Sequence, residues 1–274
     1  MTGFRTRFAP SPTGYLHLGH ALAAWHVWAE ARSHGGPVLL RIEDIDTTRC
    51  RPVFHTAILE DLAWLGFDWP EPVRVQSAHF DDYASAVMAL AERGLAYRCF
   101  KTRAELASQP KPYTGGPLPP VEEAERLGKG EPFAWRLSLR RAADALPSGF
   151  ETLTYQVTTT GGGAETVQAD PTRHGDIVIA RKDSPSAYHL AATHDDALQR
   201  ISHVIRGQDL IDAPHIQVLL QALMDWPTPI YRHHGLVLGD DGQKLSKRNG
   251  ALPIAQLRRD GMTAQQIWKH LGVA

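Results

Sequence analysis

An extended apolar segment, Phe4 to Ala9, breaks at Pro10, Pro12 and Gly14. It passes at once into residues whose apolar side chains recur at helical spacing, Leu18, Leu22, Trp25 and Ala29, until Gly35-Gly36 stops them. Val38 to Ile42 follows as a second, buried strand. A strand, a helix and a strand in this order form a unit of the parallel kind. Such a unit places functional residues at the carboxyl ends of its strands and phosphate-binding groups at the start of its helix.

The pattern continues. Pro52 opens a helix with the apolar stripe Phe54, Ile58, Leu62 and Leu65, which Gly66 caps, and another helix with Tyr83, Val87 and Leu90 on one face closes at Gly94. The character then changes to a Pro/Gly-rich stretch, Pro110 to Pro120, and to strand-like segments such as Phe133 to Leu139. Thr154 to Thr160 and Ala164 to Ala169 flank Gly161-Gly162-Gly163 as a hairpin. From Asp176 the alternation returns, with Ile177 to Ala180, a helix around Tyr188 to Ala192, a strand at His203 to Ile205 and a helix begun by Asp212 and Pro214. The expected fold is α/β, a Rossmann-type doubly wound parallel sheet carrying an inserted smaller α+β module. Its first half spans residues 1–96, the insertion 97–170, the second half 171–250, and a short helical segment 251–274.

With 43% hydrophobic and 22% charged residues in 274, the chain suffices for one large unit plus such a module. No apolar run approaches the ~20 residues of a membrane span and no signal-peptide layout opens the chain, so a cytoplasmic monomer with no membrane partner is expected. Cys50 and Cys99 cannot make a disulfide framework and read as structural thiols. The formal net charge is −1, so contact with RNA would need a local basic face, for which Arg136, Arg140, Arg141, Arg181 and Lys182 are candidates alongside an ordinary solvated role.

Two short motifs carry chemistry. In His17-Leu18-Gly19-His20 the imidazoles lie three apart, hence on one helix face, and Gly19 removes a side chain where a nucleotide must approach the backbone. A lone pair of this spacing is more often plain surface, and small-molecule adenylyltransferases use a similar motif. Near the other end, Leu236-Val237-Leu238 runs into Gly239-Asp240-Asp241-Gly242, a tight turn, and then Lys244-Leu245-Ser246-Lys247-Arg248. Two lysines three apart on such a loop can close over a triphosphate, where one well-placed donor is worth roughly 2.7 to 4 kcal/mol as charge builds on phosphate oxygens.

Ala9-Pro10-Ser11-Pro12-Thr13-Gly14, the histidine motif, Arg41-Ile42-Glu43-Asp44-Ile45-Asp46 and the lysine motif together resemble class I aminoacyl-tRNA synthetases, and among them the glutamyl-tRNA synthetase group, over nearly the whole chain. The resemblance implies activation of L-glutamate by ATP, with Mg²⁺, to glutamyl-adenylate. It makes His17, His20, Lys244 and Lys247 catalytic and assigns ATP to His17, Gly19, His20 and Lys247. Glutamate would be held by Arg7, Phe8, Ala9, Pro10, Ser11, Glu43, Tyr188 and Arg206. The chemistry agrees: two carboxylates need cationic forks such as Arg7 and Arg206, and the α-ammonium needs an anion such as Glu43. A substrate carboxylate is already ionised at neutral pH, so no base is required, and His194 reads as a packing change.

The resemblance implies that relatives of a short form, one without the anticodon-reading domain, carry zinc in the inserted module on a Cys-x-Cys pair, a tyrosine and a third cysteine. Here Lys101 and Pro117 stand at two of the cysteine positions, leaving Cys99 and Tyr113, so zinc is expected to be absent. The chain stops too soon after Arg248 for the anticodon-reading domain of a full synthetase. The resemblance therefore implies a short form that passes glutamate to queuosine in the anticodon of tRNA(Asp). A shortened enzyme charging a tRNA 3′ end and an inactive nucleotide-binding regulator stand as alternatives.

Overall fold

The structure is a computed structural model and describes residues 3–159, 163–236 and 252–273. It opens with β1 (Thr6–Phe8), α1 (Leu18–Ser33) and β2 (Val38–Ile42), and β1 pairs with β2 in parallel, Arg7 opposite Leu39. The next helix, α2 (Pro52–Trp64), crosses to β3 (Arg74–Val75), also parallel to β2. There follow α3 (Phe80–Glu92), β4 (Ala96–Cys99), α4 (Arg103–Ala107), α5 (Pro120–Gly128), β5 (Ala134–Leu137) and α6 (Leu139–Asp144). The hairpin is β6 (Thr154–Thr158) and β7 (Ala164–Gln168), succeeded by β8 (Val178–Ala180) and α7 (Tyr188–Leu198). Last come β9 (His203–Gly207), α8 (Ala213–Met224), β10 (Ile230–His234), α9 (Ile254–Arg259) and α10 (Ala264–His270).

The two parallel sheets meet at a seam where the N–H groups of Ser202 and His203 donate to the carbonyl of Arg5 at 2.9 and 3.1 Å. The spatial order is thus β3-β2-β1, then β9-β10-β6, with β7 antiparallel at the edge. Side chains alternate across this sheet into two cores. Val38, Leu40, Ile42 and Ile205 pack with Trp28 and Ile58 on one face, while Leu39 and Val204 pack with Leu190, Leu219 and Tyr231 on the other. Helices cover both faces, so the sheet is the doubly wound α/β type expected. No described helix is long and apolar enough to cross a membrane.

Three local expectations change. The buried stripe of α1 is Ala21, Ala24, Val27, Trp28 and Ala31, while Leu18, Leu22, Trp25 and Ala29 are only half-buried. The helix is apolar nearly all round, and the alanine face is the one that lets it lie close to the strands. The hairpin placed in the insertion instead extends the central sheet, with Val157 paired to Tyr231 and the Tyr155 and Tyr231 rings 5.4 Å apart. Conversely β8, placed in the second half, pairs with β5 and completes the antiparallel sheet β4-β5-β8. Pairing partners so distant in sequence leave no local trace.

Candidate active site

Proline and glycine after β1 turn the chain back toward α1, whose first turn is capped by its own motif. The Nδ1 of His17 accepts from the N–H of Gly19, and the Nδ1 of His20 accepts from the N–H of His17, both at 3.1 Å. This reciprocal cap places the protons of both imidazoles on Nε2, an assignment made from hydrogen-bond geometry. From the far end of the chain, Ile254 donates to the carbonyl of Leu16 at 2.8 Å, and Pro253 bridges to His17. The segment immediately beyond the lysine motif is therefore fastened to the histidine motif. Lys244 and Lys247 themselves lie outside the described residues.

At the carboxyl ends of β1, β2 and β9 lies a cavity of about 460 Å³. Its wall includes Arg7, Phe8, Ala9, Pro10, Ser11, Glu43, Tyr188 and Arg206, which is every residue expected to contact glutamate, and also His20. His17 and Gly19 are not among its lining residues; they sit in the helix cap behind His20. The loop after β1 is tied to β2 by the N–H of Glu43, which donates to the carbonyl of Pro10 at 3.1 Å.

Beneath the cavity is a buried ionic network. Arg41, fully buried, lies 2.9 Å from Asp196, 3.2 Å from Glu43 and 3.9 Å from Asp195. Arg7 Nε donates to the same Asp196 at 3.1 Å, and Asp195 accepts from Arg74, Gln76 and Tyr83 at 2.8, 2.9 and 2.8 Å. Burial works to raise Asp195, yet the hydrogen bond from His194 and the charge of Arg41 hold it at about 2. Burial pushes Glu43 up, against the pull of Arg41 and Arg7. A cationic group brought beside Glu43 would oppose that push and favour the carboxylate.

Arg206 is held by neighbours of another kind. Its Nη1 donates to Gln217 Oε1 at 3.0 Å and its Nε to His233 Nε2 at 3.3 Å, with the guanidinium 5.2 Å above the Tyr231 ring. Burial, then the nearby Arg206 charge, lowers His233 to about 4, so it is neutral at pH 7. The other two acids of the Arg41-Ile42-Glu43-Asp44-Ile45-Asp46 segment have structural work. Asp44 accepts from the N–H and hydroxyl of Ser77 at 2.7 and 2.6 Å, and Asp46 faces Arg49 at 2.7 Å and Arg181 at 3.5 Å.

A second cavity, about 370 Å³, shares Ser11, Thr13, Glu43 and Tyr188 with the first and continues to Arg49, Cys50 and Arg181. Arg181 also lines a third, about 690 Å³, with Lys101, Arg103, Arg136 and Lys182. Three of the five basic candidates for RNA contact thus converge here. Of the other two, Arg140 is exposed, and Arg141 donates to the carbonyl of Gly94 at 2.9 Å.

The region of Cys99 and Tyr113 is organised around Asp176. Its carboxylate accepts from Tyr97 Oη at 2.8 Å and from the N–H of Leu139 at 2.9 Å, and its own N–H donates to the carbonyl of Tyr113 at 2.6 Å. Arg136 stacks on Tyr113, 4.9 Å from the ring centre, and donates to the Asp176 carbonyl. One thiol and one phenol beside a guanidinium do not fit a four-ligand zinc site.

A doubly wound sheet with a helix-capping histidine pair beside an arginine-lined cavity defines a nucleotide-using domain built around an anionic substrate. The chain belongs to the family described as tRNA synthetases class I (E and Q), catalytic domain, which it matches over residues 3–127 and 153–273. It is 39% identical over 284 residues to the glutamyl-Q tRNA(Asp) synthetase of Rhodobacter capsulatus, covering 98% of this chain and 99% of that one. To the glutamate--tRNA ligase of Aquifex aeolicus it is 38% identical, over 99% of this chain but 57% of that protein. Its fold matches the crystal structure of a glutamate tRNA ligase from Elizabethkingia meningosepticum in complex with its amino acid with a TM-score of 0.72 at 30% identity, spanning 90% of this chain and 52% of that chain.

The sequence reading missed Arg41, Asp195, Asp196, Gln217 and His233. One signal was available: Asp195-Asp196 follows the apolar run Leu190-Ala191-Ala192 within a single helix, and a paired acid on a buried helix needs buried cations. His194 bonds to Asp195 and packs edge-on against Tyr83 and Trp226.

Proposed function

We propose that this protein activates L-glutamate with ATP, without tRNA, and then transfers the glutamyl group to queuosine in the anticodon of tRNA(Asp). The observation that carries this reading is the near end-to-end match, in both directions, to a glutamyl-Q tRNA(Asp) synthetase. The convergence of all eight expected glutamate contacts on one cavity supports it. In the first step the substrate α-carboxylate attacks the α-phosphorus of ATP, which comes with its Mg²⁺, and pyrophosphate leaves. Arg7 and Arg206 hold the substrate's carboxylates, of which only the γ-carboxylate stays out of the attack, and Glu43 holds the ammonium. His17, Gly19 and His20 serve the phosphates from the helix amino terminus, joined by Lys244 and Lys247. In the second step a hydroxyl of the acceptor nucleoside attacks the acyl carbon and AMP departs.

The acceptor reaches the adenylate through the second cavity, which shares Glu43 and Tyr188 with the first, while the basic third cavity takes its phosphates. The test is transfer of labelled glutamate, with ATP, onto bulk tRNA from cells that make queuosine and from cells that do not. Label confined to the queuosine-containing pool is the expected result. Equal label on both pools would replace this reading with 3′-end charging, and label on neither would overturn the transfer step.

A further inference from the structure

Three deeply buried arginines serve the first cavity, Arg7 and Arg206 in its wall and Arg41 beneath it, and their charges are treated differently. Arg41 and Arg7 are compensated by carboxylates, above all Asp196. Among the described residues the groups that bond to or stack on Arg206 are neutral, namely the Gln217 amide oxygen, the ring nitrogen of His233 and the face of Tyr231, while the acids Glu43 and Asp209 line the same cavity without pairing with it. Among the described residues no carboxylate forms an ion pair with it, and its buried Nη2 lacks a hydrogen-bond partner. The chain builds this cradle in three consecutive elements. β9 carries Arg206, α8 brings Gln217 over it, and the parallel register of β10 sets His233 directly opposite Arg206. Gln217 is buried, at 2% exposure.

An acceptor without charge satisfies an N–H and leaves the guanidinium's positive charge intact, whereas a carboxylate would satisfy the same N–H and cancel it. We propose that Gln217 and His233 are positioning residues that hold Arg206 as an uncompensated cation, so that the cavity selects an anionic side chain, glutamate, over its amide, glutamine. The inference rests on the glutamate-activating reading above. It assigns specificity to two residues that face the arginine rather than the substrate. A buried charge left waiting for its counter-ion discriminates strongly, because the neutral analogue leaves it unpaired.

The experiment is ATP–pyrophosphate exchange driven by glutamate or by glutamine. Gln217→Glu keeps the side-chain length and supplies a carboxylate at the same place. The KM for glutamate is expected to rise about tenfold or more, at the scale of a charge-assisted hydrogen bond, with the KM for ATP unchanged. The glutamate-to-glutamine ratio of kcat/KM falls in step. His233→Leu, which cannot accept from Arg206 Nε, is expected to lose selectivity that His233→Gln, which can, retains. An unchanged ratio in Gln217→Glu overturns the inference, as do equal ratios in the two His233 variants, which carry the test if Gln217→Glu does not fold. A wild-type protein without glutamate-dependent exchange overturns the function itself and takes this inference with it. A wild type that exchanges while its variants keep their selectivity overturns the inference alone.

Discussion

Asp196 pairs with two arginines at once, Arg7 at 3.1 Å and Arg41 at 2.9 Å, from a helix more than half the chain away. Asp196→Ala would leave both guanidinium groups short of an anion inside the fold. Removing one partner of a buried pair costs about 3–5 kcal/mol, so a fall of that size in the unfolding free energy from urea titration is expected, larger than for any substitution of the exposed Arg140. At this scale legibility depended on whether a residue sits inside a contiguous motif. Arg7 to Ser11 and Glu43 could be read because they lie within unbroken strings with one chemical purpose. Gln217 and His233 could not, because an amide in a helix and a histidine in a strand acquire meaning only from the arginine they face.

Among the elements, the joint between the Pro/Gly-rich stretch and the antiparallel sheet is the most exacting. Gly175 has φ +64°, and a Cβ there would meet the Tyr113 carbonyl oxygen at 2.4 Å and the Tyr113 nitrogen at 2.9 Å. Gly175→Ala is expected to cost about 2 kcal/mol and to push Tyr113 away from Asp176. Hydrogen exchange should quicken at Leu139 and Asp176 while β9 and β10 stay protected; uniform change across both sheets would contradict this. The long helices and the strands β1, β2 and β5 to β9 were legible from period and punctuation, whereas β3, β4, β10 and the short helices α4 to α6 were not expected. The assignment of strands to sheets was not legible, because β6 pairs with β10 and β8 with β5 across several intervening elements, and α1 offers two apolar faces of which packing selects the smaller.

For the whole molecule, the attachment of α9 to α2 sets a dependence on pH. Asp61 on α2 is fully buried, neither oxygen has a hydrogen-bond partner among the described residues, and Arg258 of α9 comes no nearer than 3.9 Å. Burial raises its carboxyl from 3.8 to about 6. Between those values the folded state keeps a proton that the unfolded chain releases, so stability falls as pH rises through this window. Asp61→Asn is neutral throughout. Its advantage in urea midpoint over wild type should be small at pH 4, grow toward pH 6 and level off above; an advantage independent of pH would contradict the assignment. Asp195, held at about 2, acts with the opposite sign, its contribution present above 3.8 and lost as the solution is acidified toward 2.

The seam between β1 and β9 joins parts of the chain that leave the ribosome far apart in time. Arg7 emerges early, yet its counter-ion Asp196 follows 189 residues later and Arg206 later still. Until β9 docks beside β1, the growing polypeptide holds half of an arginine pair and no cavity between them. Capture of the amino acid is therefore a late skill of the nascent chain, and a bound ligand would act as a clasp across the seam.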